Sequence, residues 1–419
     1  MTGLKSYARD RTLPARAGDA ELRPPDDAEL LARVVATLVR AHEPAPVSAE
    51  LVYARWKPRT ALVATYTLTW ADGATELVTW KRHLGGKASG GAYAPDEYVL
   101  AHAGRLGPFH ADASGASLSA FPADRELPGL ARVLDLQRLA RLVAPLHPER
   151  VRWRRSSVRL VRYKPEHRAV FRLALVLRDE AGALCERALA VRVLPGDVAA
   201  RVEAARRASV ERSAAPLAPA LRLVEARTGV VVEEWLDARV SESADLSNAR
   251  VAGALLARVH ALPAPQATRG RLRADHAELF AFEPKLRALA ARLPAPPRSA
   301  AAAWIHGDIH PDQLAFPRDG ADPRLLDCDN VGPGLPAEDL AAWIADHLAL
   351  RSGDAFDAAA EELLAGYRDR GGTPPDSREL RAWTAQELRE RAAAALRRLE
   401  TGAEERAQQL LAIAARVSG

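Results

Sequence analysis

The sequence predicts an α+β protein in which a β-rich region precedes a helical region, with an additional N-terminal subdomain that contains a β-hairpin. Two segments of the chain alternate apolar and polar residues in the manner of half-buried strands. From about residue 196 onward, apolar residues recur mostly at helical spacing. One polar stretch, WIHGDIHPDQLAF at residues 304–316, interrupts the helical part and is the first candidate for a functional site.

The N-terminal part opens with an amphipathic helix predicted for residues 27–42. Alternating strands around an Ala-Asp-Gly turn then predict the β-hairpin. Glycine, alanine and proline are frequent in residues 86–128, which predicts loops with short elements, and a helix follows at about residues 133–144.

A second strand-turn-strand region comes next, and its apolar side chains recur at every second position: Phe171, Leu173, Leu175 and Leu177. The remaining predicted elements are a helix at residues 197–213, two strands between residues 217 and 239, and helices at residues 248–262, at residues 284–293 and from Ala337 to the end.

The two strand regions are similar to each other, which indicates an internal repeat. RWKP at residues 55–58 matches RYKP at residues 162–165, and each is followed by an alternating strand, a turn with a glycine and a further strand. That further strand carries a basic residue, Lys81 in the first copy and Arg192 in the second. A coincidental likeness of two β-hairpins is the alternative explanation.

The composition is that of a globular protein without a strong preference for an anionic partner. Of 419 residues, 48% are hydrophobic and 27% charged, and 54 acidic residues nearly offset 59 basic ones. This balance, without a basic stripe interleaved with aromatic residues, disfavours nucleic acid as a partner. No apolar run approaches the roughly 20 residues of a membrane span, and a signal peptide is not recognisable, so a cytoplasmic location without a membrane partner is expected.

The two cysteines carry no sign of a disulfide framework or a structural zinc site. Cys185 and Cys328 are far apart in the sequence and lack the spacing of metal ligands. Both are expected to be small buried or half-buried residues.

The polar stretch and a second acidic loop after it together indicate a magnesium site. Asp308 and Gln313 lie in the first loop, and Asp327 lies in the second. All three offer oxygen atoms, which suit a magnesium ion that is partly held by substrate phosphates.

Zinc is disfavoured at the same place. His306 and His310 have the spacing of two zinc ligands on one helix face. However, Gly307 and Pro311 argue against a helix there.

The order and spacing of three motifs resemble those of the aminoglycoside phosphotransferase and choline kinase superfamily. The motifs are HGDIHPDQ at residues 306–313, LLDCD at residues 325–329 and AEDLA at residues 337–341. The resemblance covers roughly residues 155–370 and implies a protein-kinase-like two-lobe fold, with a β-rich N-lobe and a helical C-lobe. It also implies phosphoryl transfer from ATP to an alcohol, with ATP and Mg2+ as the cofactors.

The resemblance further implies three candidate catalytic residues. Asp308 would be the base that accepts the proton of the attacking hydroxyl. His306 would orient the backbone of the loop. His310 would contact the functional side chains without touching the substrate.

The metal ligands implied by the resemblance are Gln313, Asp327 and Asp329. Glutamine stands where this superfamily usually has asparagine, and Asp329 would be either a further ligand or a carboxylate behind the ligands. Asp339 would be structural and would brace the catalytic loop.

On the nucleotide side, Arg192 stands where a phosphate-binding lysine is usual, and Glu203 or Glu211 would be its helix partner. The turn at residues 164–168 takes the place of a glycine-rich loop. The hinge that meets the adenine would comprise Glu233, Glu234, Trp235 and Leu236. Lys81 in the first hairpin copy could alternatively replace the missing lysine.

The predicted organisation has three parts. Residues 1–150 form an N-terminal extension or cap with a hairpin repeat of the N-lobe, as in maltokinase-like members of the superfamily. Residues 151–240 form the N-lobe and hinge, and residues 241–419 form the helical C-lobe with the catalytic and metal loops.

Three functions are compatible with the sequence. The leading one is an ATP- and Mg2+-dependent kinase for a hydroxyl of a small molecule, such as a sugar, an amino alcohol or an antibiotic. The second is a kinase of peptide or protein hydroxyls, and the third is a nucleotide-binding pseudokinase scaffold, suggested by Arg192. Acidic residues that would favour a cationic acceptor are Glu242, Asp245, Glu278 and Glu283.

Overall fold

The computed structural model describes residues 25–41, 45–58, 60–83, 97–102, 104–107, 110–111, 116–147, 149–242, 245–263, 277–280, 284–297, 303–399 and 402–419. His42, at the end of the first predicted helix, lies outside these residues, as does most of the glycine-rich part of the predicted loop segment. No helix of the described ranges is long and apolar enough to cross a membrane.

The chain forms two compact units. The first comprises Met1–Asp197, Glu225–Val231 and Ala395–Ala403, and the second comprises Val198–Val224, Val232–Ala394 and Glu404–Gly419. The first unit contains most of the strands and the second most of the helices, so the predicted α+β order is confirmed. The predicted boundaries at residues 150 and 240 remain predictions.

Five antiparallel strands form the first sheet, in the order β1-β2-β3-β5-β4. They are β1 (Ser48–Lys57), β2 (Ala61–Thr69), β3 (Thr75–His83), β4 (His110–Ala111) and β5 (Ser117–Ala120). The first six residues of β2 are all buried. Gly73 takes a positive φ of +80° in the predicted turn between β2 and β3, a conformation that glycine adopts readily. The predicted hairpin is therefore the middle of a larger antiparallel sheet.

Four helices lie in the same part of the chain: α1 (Asp27–Ala41), α2 (Glu97–His102), α3 (Leu130–Leu134) and α4 (Leu136–Val143). The helix predicted at about residues 133–144 is confirmed as α4, but it begins later than predicted, because the preceding helix α3 ends before Asp135. This residue is extended, with a ψ of 98°, and its carboxylate accepts hydrogen bonds from the amides of Gln137 and Arg138. Asp135 thus caps a new helix in place of continuing the first.

Six strands form the second sheet, in the order β10-β11-β9-β8-β6, with β7 paired to β8. They are β6 (Arg150–Val151), β7 (Ser157–Lys164), β8 (Arg168–Arg178), β9 (Leu184–Val193), β10 (Leu221–Glu225) and β11 (Val230–Glu234). The predicted period of two in β8 is confirmed, since its four named apolar side chains are all buried. Cys185 on β9 is exposed, contrary to expectation, because it lies at the start of the strand where four consecutive residues face solvent.

Helix α5 (Gly196–Ala208) is shorter than the predicted helix at residues 197–213. Ser209 leaves the helical conformation, with a φ of −126° and a ψ of −103°, and a 3-10 turn follows at Val210–Arg212.

The predicted C-terminal helical series is confirmed. The predicted helices are α6 (Ala249–His260), α8 (Pro284–Arg292), α9 (Pro336–Leu350), α10 (Phe356–Asp369), α11 (Ser377–Arg398) and α12 (Ala403–Ser418). The short helix α7 (Ala277–Phe280) was not predicted. Helix α9 is buried almost throughout its first turns, including the charged residues Glu338 and Asp339.

Helices α6 and α10 pack closely because a glycine of each lies at the contact. A Cβ atom on Gly253 would clash with the carbonyl oxygen of Leu363, and one on Gly366 would clash with that of Arg250. The backbones of the two helices can therefore approach more closely than ordinary side chains would allow.

Candidate functional site

The predicted catalytic loop joins two short strands of the second unit. Strand β13 (Ala303–Ile305) pairs with β16 (Gly332–Gly334), and β14 (Leu314–Pro317) lies between β12 (Ala238–Val240) and β15 (Arg324–Leu325). The residues between β13 and β14 contain no α-helix, only a 3-10 turn at Pro311–Gln313. The prediction that His306 and His310 do not share a helix is therefore confirmed.

The catalytic loop lies against the second acidic loop. Gly307 has a φ of +81°, and a Cβ atom there would lie 2.6 Å from the carbonyl oxygen of Asn330. The amide of Leu326 donates a 2.8 Å hydrogen bond to the carbonyl of Gln313. His306 Nε2 lies 2.9 Å from the carbonyl oxygen of Leu326 and donates to it. Backbone and side-chain hydrogen bonds thus hold the two loops together.

Asp339 anchors the start of the catalytic loop from helix α9. Its Oδ2 accepts the amide N–H of His306 at 2.7 Å, and its Oδ1 accepts that of Gly307 at 2.8 Å. Burial raises the pKa of Asp339, but the hydrogen bond from His260, the positive charge of His306 and the amide of Gly307 outweigh burial and hold the pKa below its ordinary value. Asp339 is therefore ionised at neutral pH.

Two residues that the sequence analysis did not single out extend this contact. His260, the last residue of α6, lies 3.1 Å from Asp339 through Nε2 and 2.9 Å from the hydroxyl of Tyr367 through Nδ1. Both His260 and Tyr367 come from helices whose apolar pattern predicts only packing. A buried histidine at the end of an apolar helix was the one available signal.

The three predicted acidic residues lie at exposed or half-buried positions of the two loops. Asp308 is exposed, whereas Asp327 and Asp329 are half-buried. Asp327 has a φ of +53°, a left-handed conformation that is uncommon outside glycine and often found at functional sites. In the part of the chain that the structure describes, no three His, Cys, Asp or Glu side chains group as a metal site.

His310 and Gln313 contact each other. The amide nitrogen of Gln313 donates a 2.8 Å hydrogen bond to Nε2 of His310, and Nδ1 of His310 faces the carboxylate of Asp312. Burial lowers the pKa of His310, and the negative charges of Asp308 and Asp346 oppose this effect only in part. His310 is therefore neutral at pH 7 and can accept from Gln313.

His306 is fully enclosed, and its surroundings favour the charged imidazolium. Burial lowers its pKa, but the neighbouring Cys328 and the negative charge of Asp339 outweigh burial and raise the pKa to about 9. A protonated His306 donates to the carbonyl of Leu326, so its position supports the predicted role in orienting the loop.

Arg192 is 6% exposed, and because successive side chains of a strand point to opposite faces, it lies on the other face of β9 from the buried Val191 and Val193. The strand register sets it beside Val170 of β8, which in turn is beside Arg162 of β7. Arg162 and Arg192 are therefore in one row of cross-strand neighbours, on the same face of the sheet and two strands apart.

Lys81 and Lys57 of the first sheet both form ion pairs with Glu166, the latter at 2.7 Å. Glu166 lies in the turn between β7 and β8 with a φ of +58°, and its amide donates to the buried Asp124. Desolvation raises the pKa of Glu166, but the two lysines outweigh it and lower the pKa. Lys81 therefore has an acidic partner, Glu166, in the turn between β7 and β8.

The two glutamates considered as partners of Arg192 have other neighbours. Glu203 pairs with Arg207 one turn along α5, at 2.9 Å. Glu211 pairs with Arg206, a residue that is 1% exposed and also contacts Glu233.

The predicted hinge begins at the end of β11 and continues into the connection to β12. Glu233 is buried against Arg206, whereas Glu234 accepts from Arg324 at 2.8 Å and from the amide of Ala220. Trp235 and Leu236 are half-buried and lie between the two strands. The two glutamate side chains therefore stabilise the segment, and a nucleotide contact would come from its backbone.

The acidic residues considered for a cationic acceptor are only partly described. Asp245 accepts hydrogen bonds from Ser247 and Asn248, which lower its pKa. Glu242 is exposed. Glu283 lies outside the described residues, and Glu278 is described only as a residue of α7.

The sequence matches the model of one protein family, the phosphotransferase enzyme family, over residues 150–383. No curated protein matches the chain at a significant level. Choline kinase from Cryptosporidium parvum Iowa II is a similar solved structure, with 9% identity and a TM-score of 0.45 over 68% of this chain and 95% of the kinase. Ethanolamine kinase from Plasmodium vivax has 9% identity and a TM-score of 0.43 over 63% of this chain and 83% of that kinase.

A third similar structure is a thermostable mutant of the aminoglycoside phosphotransferase APH(4)-Ia in a ternary complex with ADP and hygromycin B. It is 13% identical, with a TM-score of 0.41 over 68% of this chain and 99% of that protein. The family match covers more than half of the chain and includes both loops of the site. The predicted membership is thereby confirmed: the chain belongs to the phosphotransferase enzyme family.

Proposed function

We propose that the protein transfers the terminal phosphoryl group of ATP to a hydroxyl of a small molecule, in a reaction that requires Mg2+. One observation carries the proposal. The loop with Asp308 is anchored by the buried Asp339 and joined by a backbone hydrogen bond to the loop with Asp327. This arrangement supports a base and a metal-binding carboxylate that act on the same phosphoryl group.

Asp308 is the proposed base. Its carboxylate accepts the proton of the acceptor hydroxyl while the hydroxyl oxygen bonds to phosphorus and the bond from phosphorus to ADP breaks. Asp308 is exposed, so an acceptor can reach it from solvent. The anchored amides of His306 and Gly307 restrict the backbone just before Asp308, which keeps the base oriented before the acceptor binds.

Gln313, Asp327 and Asp329 are the proposed magnesium ligands. Their oxygen atoms fit a hard cation that keeps several sites for phosphate and water. His310 holds Gln313 through the amide nitrogen, so the ligand atom would be the amide oxygen on the other side. When bound, Mg2+ would neutralise negative charge that develops on the phosphates.

The proposed nucleotide contacts are the guanidinium of Arg192 and the backbone of the hinge. A guanidinium can bind phosphate through two parallel hydrogen bonds, and the row that includes Arg162 supports an anionic ligand on this sheet face. Trp235 and Leu236 form the connection between β11 and β12, and the backbone of this connection is the proposed contact for the adenine edge.

A screen for acceptor-dependent ATP consumption tests the function. Sugars, amino alcohols, aminoglycosides and a Ser/Thr peptide library would be compared at fixed ATP and Mg2+. We expect turnover with a small hydroxyl compound that disappears when Mg2+ is chelated. Turnover with peptides alone would favour the protein kinase function, and nucleotide binding without any transfer would favour the scaffold.

Replacement of Asp327 tests the metal ligand. We expect Asp327→Ala to abolish the dependence of ATP binding on Mg2+, because the proposed bridge between cation and phosphates would be lost. Calorimetric titration with ATP, with and without Mg2+, measures the effect. Asp319→Ala is the matched control, because Asp319 is an exposed aspartate of the β14–β15 turn that accepts only a local amide. Unchanged Mg2+-dependent affinity in Asp327→Ala would contradict the assignment.

Replacement of Arg192 tests the nucleotide side. We expect Arg192→Lys to keep or raise kcat, because the positive charge is retained, whereas Arg192→Met would lose nucleotide affinity. Steady-state kinetics with varied ATP measure both variants. A hundredfold loss in Arg192→Lys, about 2.7 kcal/mol in barrier height, would show that the planar guanidinium is itself required. Arg187→Lys, at an exposed position of the same strand, is the control.

A further inference from the structure

We propose that His260 and Tyr367 are positioning residues for phosphoryl transfer, and that they act by fixing Asp339 and through it the catalytic loop. The three side chains form a continuous hydrogen-bonded chain from α10 through α6 to α9. Neither His260 nor Tyr367 is part of the motifs that indicate the catalytic loop. The kinetic part of this inference rests on the proposed function, whereas the structural part does not.

The three groups are removed from water. The side chains of His260 and Asp339 are 4% and 1% exposed, and Tyr367 is 2% exposed. A hydrogen bond between such groups is not exchanged for one with solvent, so removal of one partner leaves the other unsatisfied. Loss of either hydrogen bond among Tyr367, His260 and Asp339 is therefore costly in free energy.

The chemistry of the three groups determines where the imidazole proton lies. Asp339 is ionised and can only accept, so Nε2 of His260 carries the proton that faces it. In a neutral imidazole Nδ1 then has a lone pair, which accepts the hydroxyl proton of Tyr367. The hydroxyl of Tyr367 thus stabilises the tautomer of His260 that donates to Asp339.

His260 supplies the third hydrogen bond to Asp339. The other two come from the amides of His306 and Gly307, one to each carboxylate oxygen. A carboxylate side chain can rotate, and the third hydrogen bond restricts this rotation. Because the two amides precede Asp308 directly, a rotation of Asp339 would shift the proposed base.

The close packing of α6 and α10 restricts the movement of His260 and Tyr367. The glycine contacts between α6 and α10 hold the backbones of the two helices close together. The rings of His260 and Tyr367 meet edge to face, with centroids 5.5 Å apart. Just after α6, the carbonyl of Pro263 accepts from the indole N–H of Trp304, which leads into the catalytic loop.

Two substitutions of His260 separate a positioning role from simple core packing. The side-chain nitrogen of glutamine can occupy the place of Nε2, and that of asparagine the place of Nδ1. His260→Gln therefore retains a donor to Asp339, whereas His260→Asn places its donor toward Tyr367. We expect kcat to fall about a hundredfold in His260→Asn with KM for ATP unchanged, and to stay within about threefold of wild type in His260→Gln.

Hydrogen exchange of the catalytic loop is the readout that does not depend on activity. The amides of His306 and Gly307 should exchange faster in His260→Asn than in wild type, and at the wild-type rate in His260→Gln. Tyr367→Phe, which keeps the ring, should accelerate exchange to a lesser degree and serves if His260→Asn does not fold. Urea denaturation of each variant shows whether global stability accounts for the change.

The outcomes are distinct. Equal exchange and equal kcat in His260→Asn and His260→Gln would overturn the proposal, even if both variants were less stable. A wild-type protein without phosphotransferase activity, but with the expected exchange difference, would contradict the proposed function and support the positioning role.

Discussion

The Asp308→Asn variant is expected to lose about three orders of magnitude in kcat, about 4 kcal/mol in barrier height, because an amide cannot accept the proton of the acceptor hydroxyl. KM for ATP should remain within about twofold, since Asp308 is proposed to act on the acceptor and not on the nucleotide. Steady-state kinetics with the acceptor found by the screen measure both constants. The isosteric substitution keeps the shape of the side chain, so the loss reports on proton transfer.

The stability of Asp308→Asn should be unchanged within about 0.5 kcal/mol, because Asp308 is exposed. Asp319→Asn is the matched control for kcat, since Asp319 is an exposed aspartate outside both loops of the site. Activity of Asp308→Asn close to that of wild type would refute the base assignment. A large loss of stability would instead show that Asp308 has a structural role.

Local periodicity predicted most elements of the fold, because each strand and helix buries one face of its own segment. The helix predicted to begin at about residue 133 begins instead at Leu136. The sequence remains apolar at helical spacing across Asp135, but its side chain satisfies the amides of Gln137 and Arg138 and so starts a second helix. A residue such as Asp135 can either continue a helix or cap a new one, and the apolar pattern does not distinguish these outcomes.

The proposed catalytic loop could be identified from the sequence because its residues are close together in the chain. Asp308 and Gln313 belong to one motif, and Asp327 follows on the next loop. By contrast, His260 contacts Asp339 across 79 residues and Tyr367 across 107. The histidine at the end of an apolar helix is a signal, but the local pattern of neither helix shows which residue it contacts. The residues that position the site were therefore identified from the structure, whereas the residues proposed for the chemistry were identified from the sequence motifs.

The hinge shows a second limit of prediction from the sequence. The run Glu233–Leu236 was predicted to bind nucleotide, yet the side chain of Glu233 is buried against Arg206, which also contacts Glu211 and the carbonyl of Pro219. Arg206 lies in a helix whose sequence has no wide apolar face, so its burial could not be predicted. A buried ion pair is costly to disrupt from either side. The side chain of Glu233 therefore belongs to the framework of the hinge.

The Asp339→Asn variant is expected to lose about 3 kcal/mol of unfolding free energy at pH 7. The carboxylate accepts from two backbone amides and from His260, and an asparagine amide group would present a donor to at least one of them. One buried donor would then have no partner. Urea denaturation measures the difference, and Asp369→Asn is the control, because Asp369 forms an exposed ion pair with Arg250. A loss no larger than that of the control would contradict the anchoring role of Asp339.

The same variant predicts a pH dependence with a definite sign. The pKa of Asp339 is lowered in the folded protein, so the folded state binds its proton less readily than the unfolded state. The stabilisation is therefore fully present above the ordinary aspartate pKa of about 4 and is lost as the pH falls through the lower folded value. The stability difference between wild type and Asp339→Asn should stay constant from about pH 7 to pH 5 and shrink below about pH 4. A difference that grew on acidification would contradict the lowered pKa of Asp339 as the main source of the pH dependence.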